Sequence, residues 1–162
     1  MQIEQWDIDR IKPYTSNPRR NDKAVDAVAK SIREFGFRQP IVVDAGGVIV
    51  VGHTRYKAAL KLGLATVPVH VAADLTPQQA RAYRIADNRT NETAEWDVDL
   101  LPIKLGELRD DGADLKLLGF TDKELAEYLK EFDTDLEDDA ADADEAADTV
   151  RCPKCGHEFA LP

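Results

Sequence analysis

The chain has 162 residues, of which 43% are hydrophobic and 32% charged, and a formal net charge of −10. That length suits one compact domain with appendages, and no apolar run approaches the roughly 18 residues of a membrane span. Cys152 and Cys155 are its two cysteines, which excludes a disulfide scaffold and fits a reducing interior. The opening Met1-Gln2-Ile3-Glu4-Gln5-Trp6 lacks the basic and apolar regions of a secretory signal. A soluble cytoplasmic protein is expected.

The acidity is local. Residues 131–148 hold ten acidic side chains and no basic one, whereas residues 1–92 hold fourteen Lys/Arg against ten Asp/Glu. A mildly basic N-terminal domain with acid behind it is the better description than the bulk charge.

In chain order, residues 2–9 alternate as a strand does, and a turn-rich 13–18 follows. Val25, Val28, Ala29, Ile32 and Phe35 recur at helical spacing, which predicts a helix over 22–35 closed by Gly36. Two β-branched runs, 40–43 and 48–51, flank Asp44-Ala45-Gly46-Gly47, a hairpin signal. Gly52-His53-Thr54-Arg55 leads into a short helix over 56–62, and 66–71 reads as another strand. Thr76-Pro77-Gln78-Gln79 opens a helix expected to reach about residue 86. A further helix is expected over 97–108, interrupted in pattern by Pro102 and Gly106. Thr121-Asp122-Lys123-Glu124 caps another that runs to about 132. Residues 133–149 are rich in Asp and Ala with almost no large apolar side chain, so they are expected to be disordered.

The segment from Val50 through Ala59 is the most informative. A strand ends, Gly52 makes the turn, and a helix begins with His53, Thr54 and Arg55 at its mouth. A helix start offers free N–H groups and a positive dipole end, both of which attract phosphate oxygens. Gly52 permits close backbone approach, Thr54 adds a hydroxyl, and Arg55 can clamp two oxygens. An ordinary strand–turn–helix joint with Arg55 in solvent is the other reading of these residues. His53 serves as a general base, a phosphate contact or a surface hydrogen-bonding group. Arg19, Arg20, Arg81, Arg84 and Arg89 are candidates for a weak, salt-sensitive DNA face. Trp6 and Trp96 are read as core or interface residues.

Three ordered segments resemble the boxes of the ParB family. Gly36-Phe37-Arg38-Gln39-Pro40-Ile41-Val42-Val43 is similar to the first, and Val51-Gly52-His53-Thr54-Arg55 with Ala58 and Ala59 to the second. Arg84-Ile85-Ala86-Asp87-Asn88-Arg89 is similar to the Glu-Asn-x-x-Arg segment, with Asp87-Asn88 in its place. Ile11-Lys12-Pro13 and Asn17-Pro18-Arg19 match the lead-in. The resemblance covers residues 1–92 and implies an α+β fold of the ParB/sulfiredoxin type, a small mixed sheet with flanking helices. It implies a nucleoside triphosphate, CTP or ATP, held with Mg²⁺. Gly36, Gln39 and Pro40 would line the base and ribose side, while Gly52, His53, Thr54 and Arg55 would hold the phosphates. Asn88 would help hold the triphosphate and Mg²⁺, or serve as a helix C-cap.

The chain departs from the family where a Glu-Arg-Arg run usually follows the Gly, for His53-Thr54-Arg55 stands there with one fewer positive charge. Sulfiredoxins place a reactive Cys after that Gly, and with His at 53 and no Cys in the domain their thiol chemistry is excluded. Residues beyond 92 read as too acidic and too broken for the helix-turn-helix and dimerisation domains of partition proteins. The expected organisation is a ParB-like domain over 1–92, a helical extension over 93–132, an acidic linker over 133–150 and a metal-knuckle tail over 151–162. The pattern resembles the short ParB-like proteins of phages and mobile elements.

In that tail, Cys152-Pro153-Lys154-Cys155-Gly156-His157 is half of a zinc ribbon. Zn²⁺ takes four ligands in a structural site, and Cys152, Cys155 and His157 supply at most three. Two chains sharing one ion, a partner supplying the second half, and a vestigial knuckle all remain open. The functional expectation is an NTP-binding protein of DNA metabolism that binds DNA or hydrolyses NTP slowly as a switch, as a possible homodimer. A metal-dependent nuclease or a small-molecule kinase on the same fold is the rival.

Overall fold

The computed structural model describes residues 1–145, 149–151 and 158–160. The chain divides into two compact units, one formed by residues 1–96 with 116–120 and the other by 97–115 with 121–162. Among the described residues no helix is long and apolar enough to cross a membrane.

The first unit is built on a four-stranded mixed sheet in the order β1-β4-β2-β3. Strand β1 (Glu4–Asp7) runs antiparallel to β4 (Thr66–Val71), with Trp6 opposite Val67. Strand β2 (Ile41–Val43) lies parallel to β4 and antiparallel to β3 (Ile49–Val51). A parallel pair needs a crossover, and β3 with helix α2 (His53–Leu62) supplies it between β2 and β4.

Side-chain alternation sorts the strands. Ile41, Val43, Ile49, Val67 and Val69 are fully buried and, with Trp6, Ile8, Ile11 and Ala59, form the core. Trp6 is therefore a core residue, its Nε1–H donating to Glu4 Oε2 (2.8 Å) and its ring covered by the Arg10 guanidinium. The β2–β3 hairpin is closed by one side chain, because Asp44 Oδ1 accepts from the N–H groups of Gly46 and Val48, both at 3.0 Å. Alongside β3, the Lys12 segment joins by a parallel bridge to Val48, which carries the following Tyr14 toward the start of α2.

Helix α1 (Val25–Phe35) begins later than its periodicity suggests, because residues 22–24 form a 3₁₀ turn first. It packs on α2, whose Ala58 and Ala59 are completely buried; small side chains let the helix sit close to its neighbours. Ion pairs Lys57–Asp22 (2.7 Å) and Lys61–Asp26 cross the same seam. Helix α3 (Pro77–Asn91) starts at the expected capping box, where Thr76 and Gln79 exchange hydrogen bonds. It continues a turn and more beyond residue 86, so Asn88 lies inside the helix and the C-cap reading fails.

In the second unit, helix α4 (Leu100–Asp110) packs on α5 (Asp122–Glu145). Pro102 falls in the first turn of α4, where its missing N–H costs nothing. Among the described residues α5 extends to Glu145. A helix satisfies its backbone within itself, and extending one already capped and packed is far easier than starting one; alanine favours the extension. Strands β5 (Thr149–Arg151) and β6 (Glu158–Ala160) pair antiparallel, with Arg151 opposite Glu158.

Gly106 sits mid-helix in α4 because Phe132 occupies the space a side chain would need. A Cβ there would come within 2.4 Å of the Phe132 ring. Replacing an interior helical glycine by alanine ordinarily stabilises by about 0.5–1 kcal/mol. Gly106→Ala is expected instead to destabilise by about 1–3 kcal/mol through overpacking, and Phe132→Leu in the same chain to recover part of the loss. Urea unfolding of the parent and the two variants checks both.

Candidate functional site

A cleft of about 590 Å³ opens in the first unit where the end of β3, the start of α2 and one side of α3 converge. Its architecture follows from Gly52. This residue caps α2 with φ 105°, a backbone conformation that only glycine adopts without strain. The chain thereby leaves β3 and starts the helix at once, so the first N–H groups of α2 face the cleft without intrahelical partners.

Arg55 folds back over that glycine. A Cβ on Gly52 would stand 3.1 Å from both Arg55 Nε and Nη2. The Arg55 Nη1–H group donates to Gln39 Oε1, whereas the buried Nε–H has no hydrogen-bond partner. Burial pushes the guanidinium pKa down and the nearby Asp87 charge opposes that shift. A desolvated cation with an unmet donor is an anion-binding arrangement.

His53 takes a role that sequence left open. The N–H of Tyr14 donates to His53 Nε2 (3.3 Å), which fixes that nitrogen as the acceptor and leaves the proton on Nδ1. Burial, then the charges of Arg84 and Lys57, hold the imidazole below its ordinary pKa. His53 is thus a neutral ring with its basic nitrogen occupied, which suits a hydrogen-bond donor better than a general base. Thr54 Oγ1 accepts from Asn21 Nδ2 (3.0 Å), and Asn21 Oδ1 accepts from Lys57 (3.0 Å). The Thr54 hydroxyl proton is left to donate.

Across the cleft, α3 presents Tyr83, Asp87 and Asn91 at successive turns, with Asn88 beside them. Asn88 Nδ2 donates to the Arg84 carbonyl (2.7 Å), so its amide is oriented and Oδ1 remains available to a cation or donor.

Of the residues singled out from sequence, Gln39, Pro40, Gly52, His53, Thr54, Arg55 and Asn88 all line this cleft. Gly36 does not; it ends α1, its N–H donating to the Ile32 carbonyl (2.9 Å). Asn21, Tyr83 and Asn91 also line it and escaped sequence reading; Asn17 and Arg19, which the sequence assigned to other roles, line it too. A helical stripe at 83, 87 and 91 was the available signal, hidden by ending α3 too early. Of the arginines expected to form a DNA face, one is withdrawn from the surface and two are in exposed ion pairs. Arg84 is 9% exposed, while Arg19 and Arg89 both pair with Glu92, at 2.8 and 3.2 Å. Cys152, Cys155 and His157 lie outside the described residues.

The model of the ParB N-terminal domain matches residues 1–88, more than half of the chain. The chain belongs to the ParB family. It is 36% identical over 73 residues to the ParB-like nuclease domain-containing protein YnaK of Escherichia coli, covering 84% of that protein and 44% of this chain. It is also 36% identical over 121 residues to the chromosome-partitioning protein Spo0J of Thermus thermophilus, covering 72% of this chain. Its match spans less than half of that longer relative, 41%. Among solved structures, the C-terminally truncated chromosome-partitioning protein ParB of Caulobacter crescentus, crystallised with CTP-gamma-S, superposes with a TM-score of 0.59. That match covers 80% of this chain and 86% of the other at 24% identity, and it establishes the ParB-type fold.

A second model, the ParB-methyltransferase HTH domain, matches residues 99–154. The expectation that no helix-turn-helix follows the first domain is thereby overturned. Charge and broken periodicity were misleading guides, because Pro102 sits harmlessly in a first turn and Gly106 is a packing contact rather than a helix end.

The neutral His53 predicts a pH effect of definite sign. A histidine whose folded-state pKa is lowered contributes stability fully present above its unfolded value, about 6.5, and lost as pH falls through the lowered value. His53→Gln keeps an acceptor for the Tyr14 N–H but does not titrate. Between about pH 7 and pH 5, the melting temperature of the parent is expected to fall more steeply than that of His53→Gln. Parallel curves would show that His53 is not held neutral.

Proposed function

We propose that this chain is a nucleotide-dependent DNA-binding protein of the ParB family whose cleft takes a nucleoside triphosphate together with Mg²⁺. The observation that carries it is Arg55, half-buried over Gly52 at a helix start with its buried Nε–H unmet. The α2 N–H groups, the Thr54 hydroxyl and Arg55 hold the phosphates, and the His53 Nδ1–H adds a donor. Gln39 and Pro40 form the nucleoside side. Among the described residues no three His, Cys, Asp or Glu side chains converge, so Mg²⁺ is held chiefly by phosphate oxygens and water. Asn88 Oδ1 and Asp87 are its protein partners, which is how this ion is commonly bound. When bound, Mg²⁺ neutralises phosphate charge.

CTP is the first candidate, since the Caulobacter relative was crystallised with a CTP analogue, and ATP the second. Turnover is slow, because His53 has committed its basic nitrogen and Asp87 is the one carboxylate lining the cleft. The same scarcity favours binding over nuclease chemistry, which uses several carboxylates around two metals. For DNA, the helix-turn-helix match supplies the architecture, and the partitioning relative's name supplies the setting. Residues 99–154 hold eighteen acidic and seven basic side chains. Phosphate contact, the salt-dependent part of affinity, therefore falls to the basic first unit.

Thermal-shift titration with CTP, ATP, GTP and UTP, with and without Mg²⁺, tests the proposal. One nucleotide with Mg²⁺ is expected to stabilise by about 2.7 kcal/mol at a hundredfold excess over Kd. Arg55→Ala is expected to stay folded and lose that increment. Binding by Arg55→Ala equal to the parent's would refute the phosphate assignment.

We further propose that Cys152 and Cys155 contribute thiolates to a zinc ion shared between two chains, a reading supported by their Cys-x-x-Cys spacing. Metal analysis should then give about half a Zn²⁺ per chain, because four thiolates close one tetrahedral site, and Cys152→Ser should remove it. A full equivalent on a monomer would exclude sharing.

A further inference from the structure

Arg84 was grouped by sequence with surface arginines, yet it is the charged side chain buried in the first unit. A guanidinium removed from water is costly unless its donors and charge are met, so its partners mark where the fold has committed polar groups. The Arg84 Nε–H donates to the carbonyl of Ile49 (2.9 Å), on the strand that ends at Gly52. Its Nη2 lies 3.5 Å from Asp44 Oδ2. The other oxygen of that carboxylate holds the β2–β3 turn. The guanidinium carbon stacks 4.1 Å from the centre of the Tyr14 ring, and the Tyr14 N–H is the donor that fixes His53. One side chain thus ties α3 to β3, to the hairpin turn and to the loop that sets the phosphate corner.

The backbone of the same residue orients the cleft. The Arg84 carbonyl accepts from Asn88 Nδ2 (2.7 Å), one turn along α3, and Asp87 precedes Asn88 on the cleft side. Sliding or rotating α3 would displace both groups relative to Gly52 and Arg55. A helix resting on apolar contacts alone would have no such fixed register, because dispersion contacts are not directional.

We propose that Arg84 is the positioning residue of the nucleotide cleft, registering α3 on β3 so that Asp87 and Asn88 face the Gly52–Arg55 corner, and steadying His53 through Tyr14. The proposal rests on the nucleotide reading above for its ligand but not for its geometry. Arg84 touches the groups that touch the ligand.

Two substitutions in the full chain test it. Arg84→Met keeps the length and removes the charge and donors; Arg84→Lys keeps the charge and loses the paired geometry. Affinity for CTP and ATP would be measured with and without Mg²⁺, well below each melting temperature. The Mg²⁺-dependent gain is expected to shrink by about ten- to a hundredfold in Arg84→Met, as when a residue orienting a metal's partner is lost. Binding without Mg²⁺ should change much less, since Arg55 and the α2 N–H groups are intact. In the ligand-free protein, NMR should show the Asn88 side-chain amide and the Tyr14 N–H displaced in Arg84→Met. The His53 pKa should rise as the Arg84 charge is removed while that of Lys57 remains. Arg84→Lys should leave the His53 pKa near the parent's and still lose much of the Mg²⁺-dependent gain.

A purely structural Arg84 would lower the melting temperature and leave the Mg²⁺ dependence and the Asn88 resonance unmoved; that result overturns the proposal. If the parent binds no nucleotide, the function proposed above fails, and the NMR comparison alone decides Arg84. If Arg84→Met does not fold, Arg84→Lys decides, and parent-like Mg²⁺ dependence and Asn88 resonances in that variant sink the idea.

Discussion

The left-handed turn at Gly52 is the constraint from which the rest of the first unit follows. It swings the chain from β3 into α2 without an intervening loop, so the helix start faces the cleft and Arg55 returns over the backbone it has just left. Burial of Ala58 and Ala59 holds α2 against its neighbours, and the α1–α2 ion pairs brace the outer side. With that corner fixed, the placement of α3 decides which groups oppose it. Three segments, at Ile49, Asp44 and Tyr14, meet at Arg84 to make that placement, and none of them is adjacent to it in the chain.

Much of this was legible in the sequence, for reasons tied to particular residues. The hairpin announced itself through β-branched runs around Asp44-Ala45-Gly46-Gly47, and the α3 start through Thr76-Pro77-Gln78-Gln79, because turn and cap chemistry is local. The Gly52–Arg55 corner was readable as a strand–turn–helix joint because helix-start chemistry depends on a few consecutive residues. The opposite wall was not. Asn17 and Asn21 come from a turn-rich stretch with no periodicity, and Tyr83 and Asn91 belong to a helix whose end carries no stop signal. Arg84 was assigned to the surface because arginine usually is, and only the convergence of Ile49, Asp44 and Tyr14 makes it an interior residue. Gly36, placed in the cleft by resemblance, is needed by α1 for its termination.

The second unit shows the opposite balance. Its net negative charge and its Pro and Gly argued against a helical module, and local composition was the wrong scale of description. Pro102 and Gly106 each have a position where their peculiarity is harmless or required.

The unmet donor of Arg55 has a consequence for the protein without ligand. The Nε edge of its half-buried guanidinium loses water when the chain folds, not when an anion arrives, so folding carries a burden that binding would otherwise carry. Preorganisation of this kind favours tight, geometrically selective capture and leaves the empty protein less stable than its core alone would allow. On the nucleotide reading, ligand and fold are linked, because an anion would meet a donor that the native state leaves unpaired. Any cellular process that removes unstable proteins would, on that account, spare the loaded form and clear the empty one.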